Sequence, residues 1–493
     1  MFWAAGQTLV QTVVLFFVYR HLIRHLGVER LGIWGVVLAT TSVARVSELG
    51  LSSSVTKFVS TYRARGDQQA AREATQTAAI SIAVTFVLVL PIVYLALVPL
   101  LTRLLPPTAV ADAMAVLPYA LVSLWLTAIG GIWLGGLDGC FRSDFRAGLV
   151  ILSTVVFMAL AFTLVSDYGL VGLAAAQVVQ GLVLAVGGWT IMRGVMTPMP
   201  SIPTQWSRTR FQEMLAYGVN IQIIAVVMLL FEPMTKLLFT RYGGLSAAGY
   251  FELAQQLVMK ARALIVETNR VVVPVIADMN GSIADVRRFY SRNVRYLFCL
   301  LTPLFACVAA SIPAISELWI GRYERQFVIM AVSLTMAWYV NSLTAPAYFA
   351  YLGEGRLRWV TASHVAFGVS NALLGLTLGP VWGWQGVTLA FVGSLVIGSL
   401  LPVWTYHREH AVGLRHVLWG SDLLLAGFCI VATAATLAVY SSILLAGAAL
   451  WTRVAVVGVT TAALLIATSL HPLTREVLVT MRVCRMRDEN DAQ

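Results

Sequence analysis

Charge is what this chain has least of: 12% of its 493 residues are charged, while 59% are hydrophobic. A soluble globular domain carries about 25% charged residues, so no stretch here is composed to form one. Cysteine is also sparse. Cys140, Cys299, Cys307, Cys429 and Cys484 show no CxxC spacing and mostly sit in apolar runs. That excludes a disulfide framework and gives no sign of a thiolate metal site, so no metal is expected. No GxxxxGK[ST] occurs, which removes P-loop ATP hydrolysis. No catalytic constellation and no cofactor motif stands out.

What the chain does have is apolar length. A helix needs about 20 apolar residues to cross the roughly 30 Å hydrocarbon core. The hydropathy pattern predicts an all-α polytopic membrane protein with about fourteen spans. They fall at 3–24, 31–55, 76–101, 113–137, 147–166, 169–192, 212–238, 246–268, 293–316, 327–351, 360–378, 382–406, 418–440 and 446–470. The first of these lacks a basic leading segment and a small-residue cleavage site, so it reads as a retained helix.

Lys and Arg fix the orientation. Segments on the even side, with the C-terminal tail, carry 24 of the 34 basic residues; those on the odd side carry 8, and Arg45 and Arg453 lie inside spans. This bias predicts that the even loops and both termini are cytoplasmic. The net charge of +11 then reflects loops facing anionic lipid, not nucleic acid. Loops on the odd side are short and offer little surface for an external active site, so an enzyme is not expected.

Four short matches recur in order near one offset. Gly27-x4-Gly32-Ile33-Trp34 is echoed by Gly244-x4-Gly249-Tyr250-Phe251, a shift of 217. The stretch from Gly66-Asp67 to Arg72 is echoed by Gly281, Asp285 and Arg287-Arg288. Leu137-Asp138-Gly139 before Arg142 is echoed by Gly353-Glu354-Gly355-Arg356, and Tyr168-Gly169-Leu170-Val171-Gly172 by Trp382-Gly383-Trp384-Gln385-Gly386. The pattern implies a duplicated six-helix unit. An even number of spans per unit makes the halves parallel, related by an axis along the membrane normal. The expected organisation is a lobe at 1–192, a cytoplasmic linker at 193–211, a second lobe at 212–406, two further helices within 407–470 and a tail at 471–493.

The run LGVERLGIWGVVLATTSVARVSELGLSSSVTKFVSTYRARGD resembles the second helix and following loop of bacterial polysaccharide flippases. These belong to the multidrug/oligosaccharidyl-lipid/polysaccharide exporter superfamily and include the O-antigen type. GGLSAAGYFELAQQLV with VVVPVIADMNG resembles the eighth helix of the same family. The resemblance implies a two-lobed, MATE-like flippase in the bacterial inner membrane. Its substrate would be an isoprenoid-diphosphate-linked oligosaccharide, and its partners membrane lipids and the polymerase and glycosyltransferases of the pathway.

Charges placed within spans are costly and mark functional positions. Arg45 shifted by 217 is Arg262, the shift that superposes Gly32 on Gly249. Both are planar, permanently charged donors suited to a diphosphate, and Lys260 would add a third positive charge. The alternatives stay open: Arg45 and Glu48 are spaced to pair on one helix face, and Arg262 lies near enough to the cytoplasm to snorkel. Glu232 and Lys236 flank Pro233 and read either as a satisfied ion pair or as part of a coupling or gating group with Glu48 and Glu252. Arg142 and Arg356, in short even-side loops, are orientation signals or first contacts for an incoming diphosphate. Trp125, Trp133, Trp338 and Tyr339 are candidates for sugar stacking or interfacial anchoring. A lipid II flippase or a cation-coupled multidrug exporter of the same fold is the competing reading. The basic lean of these charges favours an anionic head group over a drug cation.

Overall fold

In a computed structural model of the protein, the described residues are 2–200, 202–228, 231–266, 269, 283–354, 356–413 and 420–473. Gly281 and Gly355 of the repeat, the basic residues Arg270, Arg415, Arg475, Arg482, Arg485 and Arg487, and Cys484 lie outside them. Every regular element among the described residues is helical. The helices are α1 (Phe2–Thr41), α2 (Leu51–Ala64), α3 (Gln68–Leu104), α4 (Pro107–Gly139), α5 (Ser143–Val195), α6 (Arg208–Met228) and α7 (Glu232–Val266). They continue as α8 (Ile283–Ile320), α9 (Arg325–Leu343), α10 (Ala345–Gly353), α11 (Leu357–Glu409), α12 (Gly420–Leu445) and α13 (Leu450–Leu470). Nine segments among the described residues are long and apolar enough to cross a membrane.

The starts of these helices follow local chemistry. Asp67 accepts a hydrogen bond from the Ala70 amide at 2.9 Å and caps α3. Pro107 opens α4, where its missing N–H costs nothing.

Helices α5 and α11 each run 53 residues, far longer than one bilayer crossing needs. Each is broken inside by one glycine: Gly169 at φ 57, ψ −130 and Gly383 at φ 57, ψ −136. A Cβ on Gly172 would strike the Leu164 carbonyl, and one on Gly386 the Leu378 carbonyl. Residues eight apart in a straight helix are about 12 Å distant, so the chain turns back on itself at both glycines. Two predicted spans therefore occupy each long helix. Gly27 in α1 (φ 78, ψ 167) and Gly244 in α7 (φ 80, ψ 176) interrupt their helices too, in backbone conformations open essentially to glycine alone. All four breaks fall on repeat-matched positions, and each pair shares its torsions to within about 10°.

The second predicted span differs in detail. It is not one α-helix: a 3-10 segment, Ser42–Glu48, follows α1, and left-handed Leu49 and Gly50 separate it from α2. The Gly218 carbonyl packs against Gly50 so closely that no Cβ fits there. Arg45 and Glu48 thus lie in an irregular stretch, where side chains three apart eclipse. The seventh predicted span is likewise divided between α6 and α7. Pro233 is the second residue of α7, a position proline tolerates.

Contacts divide the chain into two compact units. The first comprises 1–253 and 368–391. Its core stacks α2, α3 and α4 through Val55, Val59, Ala74, Ala78, Ile82, Phe86, Ile132 and Leu137. Small residues let backbones approach there, as membrane helices require: Thr56 Oγ1 donates to the Gly135 carbonyl at 3.1 Å. The second unit comprises 254–367 and 392–493. In it α8 packs against α9, α12 and α13. Arg295 binds Asp422 through two nitrogens at 2.8 and 3.2 Å. Arg453 reaches Glu317 at 2.6 Å, and Tyr440 donates to the same carboxylate at 3.0 Å. These buried ionic ties hold the two helices that follow the repeat, α12 and α13, to α8.

Candidate functional site

The strongest concentration of buried charge in the first unit surrounds Glu252 on α7. Lys236 Nζ lies 2.7 Å from Glu252 Oε2 and 3.3 Å from Glu232 Oε1. Lys236 and Glu252 are both buried, at 6% and 5% exposure, whereas the Glu232 side chain is half exposed. The hydroxyl of Tyr19, on α1, donates to Glu252. Such a cluster survives out of water only because every charge has a partner.

The local chain explains why these groups converge. The break at Gly244 folds α7 so that residues 236 and 252 lie beside one another. Asn371, fully buried on α11, donates to the Phe231 carbonyl at 3.1 Å and to Thr235 Oγ1 at 2.9 Å, fixing the start of α7. Phe231 and Phe391 stack with centroids 4.8 Å apart, and Phe251 meets Phe391 edge-on at 5.2 Å.

The other predicted site residues lie elsewhere. Arg45 is exposed and acts electrostatically on Glu48. Arg262, in the second unit, lies 5.2 Å from the centre of the Trp338 ring, and Trp338 Nε1 donates to Gln255 at 3.0 Å. Lys260, also in that unit, is partly buried.

Arg142 and Arg356 cap equivalent helices. Each is the residue before its helix, and their amides donate to the Leu137 and Tyr351 carbonyls, both at 2.9 Å. Arg142 forks onto Asp144 at 3.0 and 2.9 Å. The hydrogen bond from Arg142 holds the Asp144 carboxyl below its usual range. With Arg63, Cys140, Phe145 and Thr190, Arg142 lines a cavity of about 460 Å³ in the first unit. Arg356 is 2.8 Å from Glu409 and 3.7 Å from Glu354.

Two further features belong to the second unit. A cavity of about 240 Å³ is walled by Phe305, Ala306, Met336, Ile430, Ala434 and Leu437, with Tyr339 and Thr302 among its few polar groups. Cys299, Asp422 and His471 converge with ligand-type atoms within 4.8 Å of one another. Arg295 already forks onto both oxygens of that aspartate. The charge is balanced without a cation, and the cluster reads as a structural network.

The sequence model of the family described as polysaccharide biosynthesis protein matches residues 1–280. The chain belongs to that family. No curated protein matches the sequence. Among solved structures, it is similar to an inward-facing MATE family multidrug transporter of the MOP superfamily, with TM-score 0.71 and 13% identity. That likeness covers 82% of this chain and 98% of the other. The lipid II flippase MurJ in an inward closed conformation gives TM-score 0.70 at 12% identity, over 97% of this chain and 100% of that one. A MOP superfamily transporter from Pyrococcus furiosus, described as having a binding pocket of reversed polarity, gives 0.55 at 11%. There the coverage is 83% of this chain and 96% of the other. The fold of this family member is therefore that of the MOP superfamily.

Sequence reasoning named Glu232, Lys236 and Glu252 but missed Tyr19, Gly35 and Asn371. The signal for two of them was present. At the shift of 217, Tyr19 is the counterpart of Lys236 and Gly35 the counterpart of Glu252. Trp133, a proposed sugar stacker, is buried and packs on Trp189 at 4.7 Å; Trp338 is buried too.

Proposed function

We propose that this protein is a flippase for an isoprenoid-diphosphate-linked oligosaccharide, serving surface polysaccharide synthesis of the O-antigen type in the bacterial inner membrane. Both termini are cytoplasmic in this reading. It acts by alternating access, with 1–192 and 212–406 as the moving lobes, and performs no catalysis. The family match over residues 1–280 carries the reading, since it ties a MOP-superfamily fold to polysaccharide synthesis.

Arg45, Arg262 and Lys260 are the proposed cationic contacts for the diphosphate, and Arg142 and Arg356 the proposed first contacts on uptake from the cytoplasm. Glu48, Glu232, Lys236 and Glu252 form the proposed coupling or gating group. The apolar cavity beside α12 supports a lipid-linked substrate, because its walls suit an isoprenoid chain and offer little to a sugar. Replacing Arg45 and Arg262 together by Gln, at unchanged expression, is expected to lower export of the oligosaccharide at least tenfold. Full export by the double variant would refute the assignment of these two residues.

A lipid II flippase is the second reading, favoured by the likeness to MurJ over nearly the whole chain, including the two helices that follow the repeat. Complementation of a strain lacking its lipid II flippase distinguishes the two: rescue supports the second reading, and failure supports the first.

A further inference from the structure

The shift of 217 does more than align two stretches of sequence; it describes a contact. Ser246 Oγ donates to Glu29 Oε1 at 3.2 Å, and residue 246 is the counterpart of residue 29. Gly35 faces its own counterpart Glu252, whose Oε2 lies 3.5 Å from where a Cβ would sit. Gly32 abuts the Leu245 carbonyl, and its counterpart Gly249 abuts the Val28 carbonyl, the mirror of the same contact. Neither glycine has room for a side chain, because the obstruction is backbone.

Positions 29 and 35 both meeting their own counterparts, nearly two turns apart, fix the local symmetry. An axis crossing the helices would oppose counterparts at one level only. An axis running along them opposes counterparts turn after turn, as observed. The segment 28–35 of α1 and the segment 245–252 of α7 therefore form a self-matched, parallel seam inside the first unit. Small residues at Gly32 and Gly249 allow the close approach.

Two hydrogen bonds cross this seam in opposite senses. Tyr19, from the first repeat, donates to Glu252 in the second; Ser246, from the second, donates to Glu29 in the first. Each repeat thus lends a hydroxyl to a carboxylate of the other. Lys236, by contrast, meets Glu252 from within the second repeat, so parting the seam would leave that ion pair intact. The two hydroxyl bonds and the glycine contacts would break.

We propose that the seam is a closure that parts and re-forms in every transport cycle, with Tyr19–Glu252 and Ser246–Glu29 as its two latches. These two hydrogen bonds run from neutral hydroxyls to carboxylates and are not ion pairs. This rests on the transport reading given above.

The test is a reversible cross-link. In a full-length chain with its five cysteines replaced, Glu29→Cys and Ser246→Cys are combined and oxidised in the membrane. Disulfide formation is expected, with oligosaccharide export falling at least tenfold and recovering on reduction. Failure of the pair to cross-link, or cross-linking without loss of export, would overturn the proposal. If the reduced chain exports no oligosaccharide, the cargo reading is what has failed, and the seam is read independently. Ala248→Cys, beside the seam, is then labelled with a water-soluble maleimide in chains with and without Tyr19→Phe. Labelling at least threefold faster with Tyr19→Phe supports a latch; equal rates contradict it.

Discussion

Gly35 and Glu252 occupy the same position of a duplicated unit and face each other in the folded chain, glycine on one side and a buried carboxylate on the other. The duplication was preserved in the backbone and broken in the side chains. Tyr19 and Lys236, likewise counterparts, both serve Glu252. A symmetric frame has thereby produced one asymmetric charged site, with one carboxylate at the paired positions 35 and 252, where two would repel.

Lys236→Met should destabilise the protein markedly, because it strands Glu252 in the interior. Breaking a buried pair from one side costs about 3–5 kcal/mol. Adding Glu252→Gln to Lys236→Met should restore most of the loss, since no buried charge then lacks a partner. Thermal melting in detergent checks this. A double variant no more stable than Lys236→Met would show that the pair's charge is not what matters.

Gly27→Ala and Gly244→Ala should each cost about 1–3 kcal/mol, because alanine is excluded from φ near 80° with extended ψ. The two losses should match closely, as the torsions do. Gly148→Ala, in a helix with open space around the new methyl, should be neutral or slightly stabilising. Melting of the three variants side by side decides. A tolerated Gly27→Ala would mean that the chain does not break there.

His410 supplies a pH dependence outside the spans. Its Nε2 lies 3.1 Å from Glu354 Oε1, and that hydrogen bond raises the imidazole above its ordinary value of 6.5. Folding therefore favours the protonated ring. The stabilisation is fully present below about pH 6.5 and is lost as pH rises through the raised value. His410→Gln should flatten this part of the melting profile from about pH 6.5 upward. An unchanged slope would contradict the assignment.

The sequence disclosed the helical class, the offset relating Gly27 to Gly244 and Gly169 to Gly383, and span boundaries close to these glycines, though not that the glycines themselves are the breaks. Hydropathy and glycine both leave a local mark, and repetition made that mark readable. The 3-10 stretch around Arg45 left none, because its apolar pattern continues that of a helix and only Leu49 and Gly50 depart in backbone. The partners of Glu252 were half legible. Lys236 stood out as a charge in a span, whereas Tyr19 looks like any interfacial tyrosine until it is set 217 residues from Lys236. Asn371 was invisible, since its role depends on where α11 meets the start of α7.

The central claim is that this chain carries a lipid-linked oligosaccharide across the membrane. Its most direct test is the sidedness of that intermediate after deletion of the protein, read by a membrane-impermeant sugar-modifying enzyme added to oriented vesicles. The account predicts that the intermediate accumulates on the cytoplasmic face and that restoring the intact chain clears it. Normal turnover of the intermediate without the protein would contradict it.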